Sequence, residues 1–143
     1  MKIKYPAKIK YSASDDSYLV EFPDLPGCLT EGSNLEEAKI NAAEALTGYL
    51  ASIFERNLKI PEPSILKGRN IFQVEPERKV SIPIYLKMQR DTKKLSQSDV
   101  AKVLGISYQA YQRLEKPGRS NPTLKTLERL AKVFGQELYL DFA

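Results

Sequence analysis

The sequence has no histidine, no tryptophan and a single cysteine in 143 residues. Without His there is no Ser-His-Asp triad, no imidazole acid–base group and no His-ligated zinc. One Cys excludes an internal disulfide and a thiolate cluster for a metal. No apolar run approaches the ~18 residues of a membrane span. Residues 1–11 lack the apolar core of a secretory signal. The expectation is a soluble cytoplasmic chain with no cofactor, no metal and no membrane partner.

What is present is ordinary for a folded protein, with 42% hydrophobic and 28% charged residues. The charge is unevenly spread. Residues 1–76 carry 9 Lys/Arg against 11 Asp/Glu, a net of −2, whereas residues 77–143 carry 13 against 7, a net of +6. Such asymmetry points to two domains, 1–76 and 77–143, with the second facing a polyanion.

The first domain reads as strands, one helix and another strand. Residues 2–11 alternate Lys with apolar side chains, the period of a strand with one wet face. Pro6 within that run predicts an edge position or a bulge. Ser14-Asp15-Asp16-Ser17 is turn chemistry, and residues 18–22 read as the returning strand. A short strand follows around Cys28-Leu29-Thr30-Glu31. Ser33 and Glu36 have capping-box spacing, which starts a helix over about 34–56. Leu35, Ala38, Ala42, Ala45, Leu46, Tyr49, Ile53 and Phe54 form its apolar stripe. Residues 71–75 offer a last strand.

The second domain switches to short helices. The pattern predicts helices over 84–94, 97–104, 108–115 and 124–134. Ser96, Ser107 and Thr123 are the N-caps, and Gly105 is the left-handed C-terminal residue. Ala101 is small where the next helix crosses, and Gly105 allows the turn, so 97–115 reads as a helix-turn-helix. Ile106 and Leu114 plug the core.

Two resemblances sit on these residues. Residues 95–107, then Arg113-Leu114-Glu115 and Asn121-Pro122-Thr123-Leu124, resemble the phage-repressor (Cro/cI-like) helix-turn-helix domain. Tyr111 departs from it, because the family usually has a small aliphatic there; this predicts an opened core or a hydroxyl at the rim. The resemblance implies that Gln97 opens the first helix of the motif, while Ser107, Tyr108, Gln109, Gln112 and Arg113 lie on the recognition helix. Arg suits guanine and Gln suits adenine in the major groove. Lys116 and Arg119 suit phosphates.

Residues 22–32, with Leu35-Glu36-Glu37-Ala38, resemble the HicB-type antitoxin domain. So does residues 79–85, expected as a strand leading into the second domain. That family implies a partial RNase H-like fold for 1–76, hence an α+β chain completed by an all-α DNA-binding domain. It also implies a small basic HicA-type toxin partner, an mRNA-cleaving RNase whose catalytic His is occluded, and repression of the shared operon. Glu21, Asp24 and Glu31 are candidates for meeting such a basic partner.

The chain itself is expected not to be an enzyme. Asp15, Asp16, Glu21, Asp24 and Glu31 offer no convergent carboxylate set for two metal ions. Cys28 reads as a small buried hydrophobe. Lys2, Lys4, Lys8 and Lys10 read as guards of an edge strand. A lone recognition helix reads few base pairs, so a homodimer or higher even oligomer on double-stranded operator DNA is expected. Residues 137–142 read as an unpartnered apolar strand, pairing with a two-fold mate or with residues 80–82. The reading from another class is a stand-alone transcription regulator whose first domain senses or oligomerises.

Overall fold

The computed structural model describes residues 3–142. Lys2 of the lysine row and Ala143 of the tail lie outside the described residues. The chain divides into two compact units, Met1–Ser81 and Ile82–Ala143. The division falls five residues beyond the composition shift at Pro76, because residues 77–81 belong with the first unit. There the Glu77 amide donates to the Thr47 hydroxyl at 2.9 Å, and Val80 is buried.

The first unit is a four-stranded antiparallel sheet in the order β3-β2-β1-β4, with one long helix. β1 is Tyr5–Ser12, β2 Ser17–Glu21, β3 Leu29–Gly32 and β4 Ile71–Val74. The apolar set Tyr5, Ala7, Ile9 and Val20 points to the buried face and alternates with exposed Lys8, Lys10, Leu19 and Glu21.

β1 lies inside the sheet, so its lysines do not guard an edge. They stand on the open face, where Lys8 approaches Glu21 at 4.0 Å; Lys4, ahead of β1, meets Glu75 at 3.4 Å. An interior strand tolerates Pro6 for a local reason. The Ile9 amide donates toward the β4 side, to the Asn70 carbonyl. By the two-residue period, the N–H that Pro6 lacks would point toward β2. β2 pairing stops at Lys8↔Glu21, so no ladder bond is lost there.

The helix α1, Leu35–Glu55, covers one face of the sheet through Ala38, Ala42, Leu46, Leu50 and Ile53. Its cap lies one residue later than the Ser33–Glu36 spacing predicts. Asn34 is extended and accepts from the Glu37 amide at 2.8 Å. The Glu37 carboxylate reaches back to the Ser33 amide and hydroxyl. Ser33 and Asn34 are both good caps, so the spacing left the choice open. Gly32 is required at the start of this packing, because a Cβ there would overlap the Ala38 backbone.

Helix α2 is Arg78–Thr92, with Pro83 inside it. The strand expected over 79–85 is therefore helical. Val80 and Ser81 donate to the Glu77 carbonyl at 2.9 and 3.0 Å, which starts the helix six residues before Ile84. The alternation of Val80, Ile82 and Ile84 imitates a strand, yet Val80 and Ile84 are also one helical turn apart and both buried. Pro83 removes one bond, to Lys79, a residue exposed enough for water to replace it.

The second unit continues with α3 Gln97–Leu104, α4 Tyr108–Leu114 and α5 Leu124–Val133. Leu86, Val100, Ala101, Leu104, Tyr111, Leu130 and Phe134 form its core, with Ile106 and Leu114 packed against it. Leu124, the first residue of α5, is half exposed. Tyr111 is fully buried rather than at a rim. Residues 137–142 form no strand, and residues 80–82 are helical with their amides engaged, which removes them as a pairing partner for the tail.

Candidate nucleic-acid interface and open sheet face

The helix-turn-helix is built by its caps. Ser96 accepts from the Asp99 amide at 3.0 Å, and Asp99 accepts from the Ser96 amide at 2.8 Å. The bond from the Ser96 amide, with the Ser96 hydroxyl beside it, holds the Asp99 carboxyl below its ordinary range. Gly105 closes α3 in the left-handed conformation at φ 69°. Arg129 of α5 donates to the Leu104 carbonyl, securing the same helix end. Ser107 then starts α4, its hydroxyl accepting from the Ala110 amide at 3.0 Å.

This places the expected reading residues as follows. Tyr108, Gln109, Gln112 and Arg113 are exposed on α4, with 108/112 and 109/113 each one turn apart. Lys116 and Arg119 are exposed in the turn after it. Ser107 is engaged as the N-cap. Gln97 is half-buried and spans two partners: its amide donates to Glu115 at 3.3 Å, and its carbonyl accepts from the Tyr108 hydroxyl at 3.2 Å.

Behind α4 lies a group that the sequence pattern does not reveal. Arg90 of α2 donates from Nε and Nη2 to the two Glu115 oxygens at 2.8 and 2.9 Å. Its Nη1 donates to the Leu95 carbonyl at 2.9 Å. Glu115 is almost wholly buried, and its hydrogen bonds raise the Arg90 pKa further. The Tyr111 hydroxyl is buried beside this pair with no hydrogen-bond partner; burial, then Glu115, pushes its pKa up. Arg90 and Glu115 are 25 positions apart, a separation that no helical or strand period marks.

On the first unit, the sheet face opposite α1 is uncovered. Register aligns Lys8, Glu21 and Leu29 in one row across three strands, and Lys10, Leu19 and Glu31 in the next. A groove of about 350 Å³ runs among them, lined by Lys8, Lys10, Leu19, Glu21 and Leu29. Leu29 is 65% exposed. Glu21 and Glu31 thus share a face, with Glu31 accepting from the Ser17 hydroxyl at 3.2 Å. Asp24 stands apart in the loop after β2. Its Oδ2 accepts from the Ser64 amide and hydroxyl at 2.9 and 3.0 Å, pinning the long connection before β4. Leu19 and Leu29 escaped the sequence reading because their neighbourhood depends on strand register.

Asp15 and Asp16 serve the β1–β2 turn, accepting from Ser12 at 2.7 Å and Tyr11 at 2.8 Å. Among the described residues, no three His, Cys, Asp or Glu side chains are grouped to hold a metal ion. Nor is any helix long and apolar enough to cross a membrane. Cys28 is buried, and burial raises its thiol to about 11.

Comparison with known proteins assigns both units. Residues 4–90 match the model of the HicB-like antitoxin of bacterial toxin–antitoxin systems, and residues 86–140 match a helix-turn-helix model. Antitoxin HicB 1 of Photorhabdus laumondii is 31% identical over 138 residues, 96% of this chain and 86% of that protein. Antitoxin HicB of Escherichia coli K12 is 29% identical over 138 residues, 96% of this chain and 98% of that protein. One chain of a toxin–antitoxin complex from Streptococcus pneumoniae overlays with a TM-score of 0.47 at 21% identity, covering 71% of this chain and 95% of that one. A family match over more than half the chain, continued by relatives aligned along nearly all of it, places this protein in the HicB-like antitoxin family, with a helix-turn-helix DNA-binding domain.

Proposed function

We propose that this chain neutralises a small basic RNase toxin of HicA type through its first unit and represses the operon encoding both through its second. The observation that carries the reading is the joining, in one chain, of an antitoxin-family unit and a helix-turn-helix that exposes Gln109, Gln112 and Arg113 on one helix. On the second unit, Arg113, Gln109 and Gln112 read base edges in the major groove, and Lys116 and Arg119 take phosphates. Gln97 contributes through Tyr108, whose hydroxyl it holds. On the first unit, the toxin meets the open sheet face. Leu19 and Leu29 supply apolar contact there, and Glu21 and Glu31 supply charge opposite to a basic partner. Asp24 shapes the neighbouring loop from its bond to Ser64. The chain is cytoplasmic and binds its operator as an even-numbered oligomer.

The test uses the full chain as bait in lysate of its native cells, with footprinting of the DNA upstream of its own coding frame. Capture of a stoichiometric small basic protein that is toxic alone, with a two-fold footprint, is the expected result. A footprint with an empty bait, in cells shown to express the neighbouring frame, would instead make the chain a solitary regulator.

A further inference from the structure

A series of hydrogen bonds runs from α2 to the exposed surface of α4, and its direction is fixed at the buried end. Arg90 carries only donors. Its Nε and Nη2 hold Glu115 Oε2 and Oε1 at 2.8 and 2.9 Å, so both carboxylate oxygens accept. The next link is the Gln97 side chain, 3.3 Å from Glu115 Oε1. An oxygen that already accepts from a guanidinium has no proton to give, so Gln97 turns its NH2 toward it. The Gln97 carbonyl oxygen then faces the Tyr108 hydroxyl, 3.2 Å away. A carbonyl oxygen only accepts, so Tyr108 is the donor.

A phenol has one proton and two lone pairs. Tyr108 gives its proton inward, to Gln97, and its hydroxyl therefore shows only lone pairs to the outside. A tyrosine hydroxyl free in water turns its proton either way and does not tell a donor from an acceptor. Here Glu115 is buried, so water does not reset the order of donors and acceptors. Tyr108 stands exposed on the same helix as Gln109, Gln112 and Arg113.

In the major groove the donors are the amino groups of adenine (N6) and cytosine (N4), whereas guanine O6 and N7 and thymine O4 accept. Phosphate oxygens accept as well. An acceptor-only hydroxyl pairs with an amino group and sets lone pair against lone pair at a keto oxygen. Every base pair carries one amino base and one keto base, so the hydroxyl distinguishes the two orientations of a pair.

We propose that Tyr108 is a specificity-determining residue that accepts a hydrogen bond from adenine N6 or cytosine N4 at one position of the bound DNA. Arg90, Glu115 and Gln97 are the positioning residues that set this choice, by fixing which way the hydrogen bonds run. Arg113 has the opposite polarity and suits guanine. The proposal rests on the DNA reading above and adds the class of base at one position and the groups that choose it.

The experiment selects duplexes from a random-sequence pool with the full chain, in parallel for wild type, Tyr108→Phe and Gln97→Leu. The readout is the ratio of A or C to G or T at each position within each selected pool, so a loss of folded protein cancels. Wild type should favour A or C about tenfold at one position. Tyr108→Phe should bring that ratio to within about twofold of unity, and Gln97→Leu, which frees the Tyr108 proton for donation, should do the same. A purely structural role would weaken all positions together. Replacing the selected adenine by purine, or cytosine by pyrimidin-2-one, removes the amino group. This should cost wild type about tenfold in affinity and Tyr108→Phe less than about twofold. A wild-type pool with no enriched sequence would overturn the DNA reading and this inference with it. Enriched sequences that keep every A or C preference in Tyr108→Phe or in Gln97→Leu, or that lose a G or T preference with Tyr108, would overturn the inference alone.

Discussion

Arg90 and Glu115 form a two-point ion pair, Nε–Oε2 2.8 Å and Nη2–Oε1 2.9 Å, that ties α2 to the residue following the recognition helix. Glu115 is 2% exposed, so water screens the pair little. Removing one partner leaves the other charge buried and unpaired, which costs about 3–5 kcal/mol. Glu115→Ala should lower the urea midpoint of the second unit accordingly. Arg90→Lys keeps the charge but loses the fork, and should fall between the two. A Glu115→Ala chain with the wild-type midpoint would mean that the pair does not hold α4 in place.

On the proposed DNA reading, the exposed residues around α4 separate by what they would contact. Arg113→Ala should cost about 1–3 kcal/mol at one base pair and relax specificity there. Lys116→Ala and Arg119→Ala should weaken all sequences evenly and lower the salt slope by about one each. Binding measured on a panel of operator variants at several salt concentrations distinguishes the two patterns. An even loss for Arg113→Ala would make it a phosphate contact.

Gly32 meets the first turn of α1 so closely that a Cβ would collide with Ala38 backbone rather than a movable side chain. Gly32→Ala should therefore destabilise the first unit by roughly 1–3 kcal/mol or more, with the second unit's transition unchanged. Separate unfolding transitions followed by circular dichroism check this.

High pH should destabilise the first unit. Burial raises the Cys28 thiol from 9.0 to about 11, and burial, with Asp24 and Glu62 nearby, raises the Tyr5 hydroxyl from 10.0 to about 12. Above pH 9 the unfolded chain loses these protons before the folded one does. Stability is thus whole below pH 9 and falls as pH rises toward 12. Cys28→Ala should flatten the fall between pH 9 and 11, and Tyr5→Phe the part between 10 and 12. A parallel loss in wild type and both variants would place the cause elsewhere.

Much of this architecture is legible in the sequence because local chemistry and tertiary structure agree. Ser96 and Asp99, Gly105, Ser107 and Thr123 each mark a helix end through a bond to a near neighbour, and each end falls there. α2 is the exception. Its Val80, Ile82 and Ile84 satisfy both periods, and Pro83 argues against the helix that forms. The exposed side chains of α4 follow from the motif, because they depend only on helix spacing. Partners held across long separations do not follow. Glu115 with Arg90, Asp24 with Ser64, and the rows of Leu19 and Leu29 depend on which segments meet in space. Nothing local marks Asp24 as a loop anchor rather than a free acid.

The proposed function requires that this antitoxin-family chain silence an RNase directly. Titrating the full chain into a purified small basic RNase of HicA type, while following cleavage of an mRNA substrate, tests this. Cleavage should fall linearly and stop near one chain per toxin, and Leu29→Arg on the open sheet face should shift that endpoint to about tenfold or greater excess. Undiminished cleavage at a large excess of the folded chain would contradict the account.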